Sequence, residues 1–230
     1  MDMIRVIQGD SDLIAQGGGT GGSRSVTTQS NATLAVVGTM VEKFTAFLAE
    51  KMKVDAEDVS FDDESFRIKG SNASPTMVDV ADMAREAGLR LTTHAGEWRG
   101  PEEVRAAVRD LRVERVGHGV RVIEDLALVD ELIEKDVVLE VCPGSNVMLG
   151  VYPKLAAHPI EKLRERGIKV TVSTDDPPFF HTDMTKEYEG LARVFEWNED
   201  DFKALNQTAL AAAFCDDATR DRIAKKLETA

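Results

Sequence analysis

Several side chains in this sequence can bind metal ions or transfer protons. In chain order they are His94, Glu97, His118, Cys142, Asp175 and Asp176. Imidazole nitrogens and carboxylate oxygens are zinc ligands, and a bound zinc ion lowers the pKa of a water molecule and so creates a nucleophile. The residue types therefore indicate metal-assisted hydrolysis. His94 and Asp175 are candidate metal ligands, and Glu97 and His118 are candidate proton-transfer groups.

Each of these residues also has an ordinary structural explanation when it is considered alone. A single histidine at the end of a strand is more often structural than a ligand, and an Asp-Asp pair before proline is usually a turn or a helix cap. Cys142 ends an apolar run and is expected in the core. His158 and His181 are expected on the surface. The functional interpretation depends on the candidate residues following successive predicted strands.

The elements that would position these side chains alternate between strand and helix. The predicted strands are Leu89–Thr93, Arg115–Gly117, Val137–Val141 and Lys169–Ser173. The predicted helices are Met77–Ala87, Pro101–Leu111, Glu124–Lys135 and Pro159–Glu165, followed by three more over residues 186–227. Gly88 and Gly167 stand where helix C-caps are expected. This alternation predicts a parallel sheet, and α/β barrels carry their active sites at the carboxyl ends of such strands.

Composition is typical of a globular protein and disfavours some classes of partner. The chain has 230 residues, is 43% apolar and carries a net charge of −13. This acidic balance disfavours nucleic acid and anionic membranes as partners. Two cysteines, Cys142 and Cys215, do not make a disulfide framework. The first ten residues carry no secretory signal, and no apolar run approaches the roughly 20 residues of a membrane span. We therefore expect a cytoplasmic protein.

The motifs around the candidate residues resemble a known family. They are Thr93-His94-Ala95-Gly96-Glu97, Arg115-Val116-Gly117-His118-Gly119, Glu140-Val141-Cys142-Pro143 with Ser145-Asn146, and Ser173-Thr174-Asp175-Asp176-Pro177. Their order and spacing are similar to those of the last four barrel strands of adenosine deaminases. The resemblance implies an α/β fold over residues 79–230, a partial (half) TIM-type barrel of the amidohydrolase kind.

The resemblance also implies a role for each matching residue. His94 and Asp175 would bind Zn²⁺, and Glu97 would protonate the purine ring at N1. His118 would orient and deprotonate the attacking water, and Asp176 would hold the purine at N7. The implied reaction is zinc-dependent hydrolytic deamination of a purine nucleoside, in which water attacks C6 of adenosine and gives inosine and ammonia.

One feature of that family has no counterpart here. Adenosine deaminases carry a His-x-His pair on the first barrel strand, which supplies two further zinc ligands, and none of the four histidines of this sequence forms such a pair. A complete barrel of this type needs about 250 residues, so the resemblance covers its second half only. A half-barrel leaves two open sheet edges, and a homodimer of two half-barrels would close them.

Residues 1–78 carry a different pattern and are expected to form a small α+β segment. Ile4–Ile7 predicts a strand, Asn31–Met52 predicts an amphipathic helix with Ser30 or Asn31 as its N-cap, and Val59–Phe61 with Ser65–Ile68 predicts a hairpin. Gly-Asp-x-Asp at residues 9–12 and the Gly-rich stretch at residues 16–25 resemble part of the molybdopterin-binding subunit of xanthine dehydrogenase-type hydroxylases. Backbone N–H groups of such a stretch can hold pterin or phosphate oxygens, and a flexible loop is the alternative. Those enzymes also need a catalytic glutamate motif, which has no counterpart here, so molybdopterin is not an expected cofactor.

Three functional hypotheses follow from the sequence. The first is zinc-dependent deamination of adenosine. The second is a non-catalytic chimeric or remnant module that binds a purine or a metal, which the absent His-x-His pair favours. The two resemblances meet near residues 79–83 and join two partial domains, which indicates a chimera. The third is a molybdopterin-binding fragment of a hydroxylase.

Overall fold

The computed structural model describes residues 38, 41–63 and 65–229. Its contacts divide the chain into two compact units, and the division falls between residues 89 and 90. The sequence-based boundary at residue 78 lies earlier, within the helix Met77–Glu86, which the contacts group with the first unit. The predicted strand at residues 4–7, the Gly-rich stretch and the N-cap at residue 30 or 31 lie outside the described residues.

The described residues of the first unit form two α-helices, a short 3₁₀ helix and a hairpin. Helix α1 is described over residues 41–52, and a short 3₁₀ helix spans Ala56–Asp58. Strands β1 (Val59–Asp62) and β2 (Ser65–Ile68) pair antiparallel, which confirms the predicted hairpin. Helix α2 (Met77–Glu86) begins with a capping box, in which Thr76 and Asp79 each bond the other's backbone N–H. Leu48, Phe66 and Val80 form the buried centre of this unit.

The second unit is built on a four-stranded parallel sheet in the order β3-β4-β5-β6, as the alternation of elements predicted. Its strands are β3 (Thr92–Ala95), β4 (Arg115–His118), β5 (Val138–Val141) and β6 (Lys169–Val172). The helices are α3 (Pro101–Arg109), α4 (Leu126–Glu134), α5 (Pro143–Met148), α6 (Ile160–Glu165), α7 (Pro177–Phe180), α8 (Met184–Phe195), α9 (Glu199–Ala212) and α10 (Asp217–Thr229). Two further 3₁₀ helices are Val120–Glu124 and Leu155–Ala157.

The first strand of the sheet differs from its prediction. The apolar residues at Leu89 and Leu91 placed the strand at Leu89–Thr93, whereas β3 spans Thr92–Ala95. Leu89 is 53% exposed and does not contribute to the sheet.

Positive φ angles at Gly88 (87°) and Gly167 (90°) confirm both as the residues that end α2 and α6. Within the described part of the chain, no helix is both long and apolar enough to cross a membrane.

The core of the second unit lies between the sheet and its helices, and Leu139 lies at its centre. Leu139 is on the inner strand β5 and is 0% exposed. Leu139→Ala is therefore expected to lower the free energy of unfolding by about 2–5 kcal/mol, because it removes buried methyl groups and leaves a cavity. Urea unfolding followed by circular dichroism would measure the change. Leu126→Ala, at a position 45% exposed on α4, is the matched control, and equal losses in the two variants would contradict the assigned core.

Candidate active site

The carboxyl ends of the four parallel strands bring most of the candidate residues together. His94 lies on β3 and His118 ends β4, and their ring centroids are 5.1 Å apart. Nδ1 of His118 lies 3.6 Å from Oε1 of Glu97, which follows β3. Nε2 of His118 lies 3.9 Å from Oδ2 of Asp175, which follows β6. His118 is thus the centre of a cluster that also contains His94, Glu97 and Asp175.

A missing side chain on β4 makes room for His94. His94 pairs in register with Gly117, and a Cβ atom at Gly117 would lie 3.0 Å from Cγ and Nδ1 of the imidazole. Glycine therefore lets the ring of His94 lie against the neighbouring strand. Since His94 is exposed, its nitrogens are accessible to a ligand.

His118 is buried, and its backbone adopts the left-handed conformation, with φ of 58°. Burial lowers its pKa, and the neighbouring His94 lowers it further, although Asp175 opposes the shift. The side chain is therefore held in its neutral form near neutral pH.

The carboxyl group of Glu97 has a raised pKa. Burial raises this pKa to about 7, and the negative charge of Asp175 acts in the same direction, while a hydrogen bond from Asn146 opposes it. The hydrogen bond runs from Nδ2 of Asn146 to Oε1 of Glu97 over 3.3 Å. A carboxyl group with a pKa near neutrality can donate a proton under ordinary conditions, so the environment suits Glu97 to general acid catalysis.

The two aspartates that follow β6 have different surroundings. Asp175 has a φ of 59°, its side chain is 24% exposed, and it accepts a 2.7 Å hydrogen bond from Oγ of Ser145. Asp176 is exposed at the N-cap position of α7, where its side chain makes no capping hydrogen bond. The structure therefore brings Asp175 into the cluster. The side chain of Asp176 is exposed and does not cap helix α7.

The short helix α5 contributes two residues that were given no role from the sequence. Ser145 and Asn146 are fully buried, and they hydrogen-bond Asp175 and Glu97 respectively. The backbone N–H of Gly144, in the first turn of α5, donates to Oε2 of Glu187 on α8 over 2.9 Å. Glu187 also accepts from Oγ1 of Thr182 over 2.7 Å, so it links α5 to α8. Both buried residues belong to the sequence motif around Cys142, which was the only signal in the sequence that could have pointed to them.

The expectation for His158 was wrong, whereas His181 is exposed as expected. His158 is 3% exposed, its ring packs edge-on against Tyr152, and both ring nitrogens have hydrogen-bond partners. The partners are the side chain of Asn146 and the backbone N–H of Ile160, so the buried ring has its hydrogen-bonding groups satisfied.

Several side chains in this cluster carry atoms that can bind a metal ion. Among the described residues, donor atoms of His118, Cys142 and Asp175 lie within 4.8 Å of one another. Burial raises the pKa of the Cys142 thiol to about 12, which opposes the thiolate form that binds metals. His94 and Asp175, which both lie next to His118, offer an imidazole nitrogen and a carboxylate oxygen, the donor types that zinc accepts. They fit zinc better than the buried thiol does.

Ionisable side chains at the carboxyl ends of a parallel sheet are the arrangement found in enzymes built on α/β barrels. In agreement with this class, residues 16–230 match the family model described as adenosine deaminase. The chain belongs to the adenosine deaminase family. The match includes most of the segment before residue 79, and the comparisons give no support to the molybdopterin-binding resemblance predicted there.

Curated relatives carry a more specific name. The chain is 47% identical over 165 residues to the adenine deaminase of Agrobacterium fabrum, an alignment that covers 70% of this chain and 51% of the relative. The adenine deaminase of Rhizobium rhizogenes has the same identity and coverage. The chain thus spans about half the length of the curated relatives that it matches.

Solved structures agree with the α/β fold. The adenine deaminase of Arthrobacter aurescens superposes with a TM-score of 0.65 at 28% identity, over 84% of this chain and 57% of that chain. An amidohydrolase from Burkholderia ambifaria with bound zinc superposes with a TM-score of 0.55 at 28% identity, over 66% of this chain and 46% of that chain.

Proposed function

We propose that this chain carries the purine-binding and proton-transfer half of a zinc-dependent adenine deaminase site. The observation that carries the proposal is the cluster of Glu97, His118 and Asp175, in which a carboxyl group with a pKa of about 7 lies beside a buried neutral imidazole. The names of the curated relatives favour the free base adenine over the nucleoside adenosine that the sequence motifs first implied. The net reaction is adenine plus water giving hypoxanthine plus ammonia.

His94 and Asp175 would hold the zinc ion, with any further ligands supplied from outside the described residues. When it is bound, the ion would lower the pKa of the attacking water. His118 lies next to both residues and would orient the water toward C6 of the purine. Ser145 keeps Asp175 in place through its 2.7 Å hydrogen bond.

Glu97 would supply the proton that makes C6 reactive. Protonation of N1 draws electrons from the ring, so that water adds at C6. One proton of the water passes to the amino group, which leaves as ammonia when the C6–N bond breaks, and the remaining hydroxyl proton returns to Glu97 as the C6 carbonyl forms. Because burial holds the pKa of Glu97 near 7, the acid form is available at neutral pH. Asp176, which follows Asp175 and is exposed, would hydrogen-bond the purine at N7.

The proposal is tested by incubating the zinc-loaded chain with adenine, adenosine and adenosine monophosphate and following ammonia release and ultraviolet absorbance. We expect turnover of adenine in preference to the other two. Preference for adenosine would restore the nucleoside as the substrate. Zinc binding without turnover of any of the three would favour the non-catalytic binding module, since the His94 and Asp175 donors alone would then account for the metal.

A further inference from the structure

A buried chain of hydrogen bonds runs from the start of α6 to the centre of the cluster. The backbone N–H of Ile160 donates to Nδ1 of His158 over 3.2 Å. A backbone N–H can only donate, so Nδ1 of His158 must accept, and the proton of this neutral ring lies on Nε2. Burial supports the neutral form, because it lowers the pKa of His158 to about 3.

The proton on His158 determines the orientation of the next side chain. Nε2 of His158 lies 3.1 Å from the Oδ1 atom of Asn146, to which it donates. The amide of Asn146 therefore presents its Nδ2 group to the opposite side, where Nδ1 of His118 lies at 3.1 Å and Oε1 of Glu97 at 3.3 Å. The reverse orientation of the amide would place its oxygen against the carboxyl group of Glu97 and would leave His158 facing an N–H group.

The same logic then fixes the proton of His118. Since Nδ2 of Asn146 is a donor, Nδ1 of His118 accepts, and a neutral His118 ring carries its proton on Nε2. This Nε2 is the nitrogen that faces Oδ2 of Asp175 at 3.9 Å. All three side chains of the relay, His158, Asn146 and His118, are buried, so solvent does not compete for these hydrogen bonds.

We propose that His158 and Asn146 are positioning residues that hold His118 in its Nε2–H form. In this form His118 orients the attacking water by donating a hydrogen bond, instead of removing its proton, and it has no free nitrogen with which to bind a metal. The catalytic consequence rests on the proposed function, whereas the proton arrangement of the three side chains does not.

The proton arrangement can be measured without activity, by long-range ¹H–¹⁵N correlation spectra of the histidine rings in the metal-free 230-residue chain at neutral pH. We expect the Nε2–H form for both His118 and His158. His181→Gln removes the signals of an exposed histidine and is the matched control for assignment. An Nδ1–H form of His118 in the parent chain would overturn the proposal. Because this measurement uses the parent chain, it does not depend on whether a variant of the relay folds.

Substitutions in the relay test whether His158 and Asn146 set the proton position on His118. Asn146→Asp replaces the donor by an acceptor and is expected to move the proton of His118 to Nδ1. His158→Leu is expected to leave His118 as a mixture of the two forms, and His158→Gln, which keeps an N–H donor, is expected to restore the Nε2–H form. Unchanged His118 spectra in both Asn146→Asp and His158→Leu would overturn the proposal.

Kinetics separate a positioning role from a purely structural one. With zinc and adenine, His158→Leu is expected to lower kcat about 10- to 100-fold with KM nearly unchanged, as loss of a supporting hydrogen-bond partner does around other catalytic sites. His158→Gln should recover most of the loss, and His181→Gln should match the parent. If the parent chain has no activity, the proposed function fails, and the spectra alone decide the proton arrangement. If kcat falls equally in His158→Leu and His158→Gln, the positioning role is wrong.

Discussion

Glu97→Gln is expected to lower kcat/KM for adenine by about 10²- to 10⁴-fold, the usual contribution of a general acid. Glutamine keeps the size of the side chain and can still bond Asn146 through its amide oxygen, but it cannot donate a proton to N1 of the purine. Steady-state kinetics of the zinc-loaded protein would measure the loss. Glu134→Gln, an exposed position on α4, is the matched control and should match the parent. Equal activity of Glu97→Gln and the parent would remove Glu97 from the mechanism.

The same carboxyl group sets the expected pH dependence of the parent. Its pKa is raised from 4.5 to about 7, so the protonated form that donates is populated below neutrality and disappears above it. The kcat/KM of the parent should therefore fall as the pH rises from about 6 to about 8, and the residual activity of Glu97→Gln should lack this decline. A parent profile without any decline over that range would show that another group donates the proton.

Asp175→Asn is expected to cost most of the bound zinc and, with it, the activity. Outer-shell partners of metal sites typically contribute about 10- to 100-fold in metal affinity, and a lost ligand should cost at least as much. Asparagine suits the test, because it tolerates the positive φ of 59° at this position and its amide oxygen can still accept from Ser145. Zinc content after gel filtration, measured by atomic absorption, would report the loss.

Asp176→Asn is the matched control for the metal. It changes the neighbouring carboxylate, which we assign to the purine, so zinc content should remain and KM for adenine should rise. Loss of zinc in Asp176→Asn with retention in Asp175→Asn would reverse the assignment of the two residues.

The four strands, the helices α3, α4 and α6, and the three C-terminal helices could be predicted from sequence because apolar runs and glycine C-caps are local signals, whereas the short helices α5 and α7 were not predicted. The position of β3 could not be predicted, since its sequence, Thr-Thr-His-Ala, carries few apolar residues. The strand is recognisable only through its pairing with β4, a long-range contact that brings His94 beside Gly117. The polar residues of β3 that the site requires therefore replace the apolar pattern by which the strand would have been predicted.

The site was predictable in part for a related reason. His94, Glu97, His118 and Asp175 belong to recognisable motifs, and the structure brings these four together. His158 was assigned to the surface because an isolated histidine before proline carries no signal of burial. Its hydrogen bond to Asn146 compensates for burying the polar ring, and this contact between residues twelve positions apart leaves no local signal in the sequence. The sequence motifs also do not distinguish the free base from the nucleoside as substrate, since none of them contains a group that would bind a ribose.

His118 and Asp175 both hold left-handed backbone conformations, with φ of 58° and 59°. A residue other than glycine in such a conformation costs on the order of 1–3 kcal/mol, although aspartate and histidine tolerate it better than most. The two side chains at the centre of the cluster are therefore displayed at the expense of conformational strain. Selection for thermal stability alone would favour glycine or asparagine at both positions, which makes this pair a place where stability and activity trade against each other.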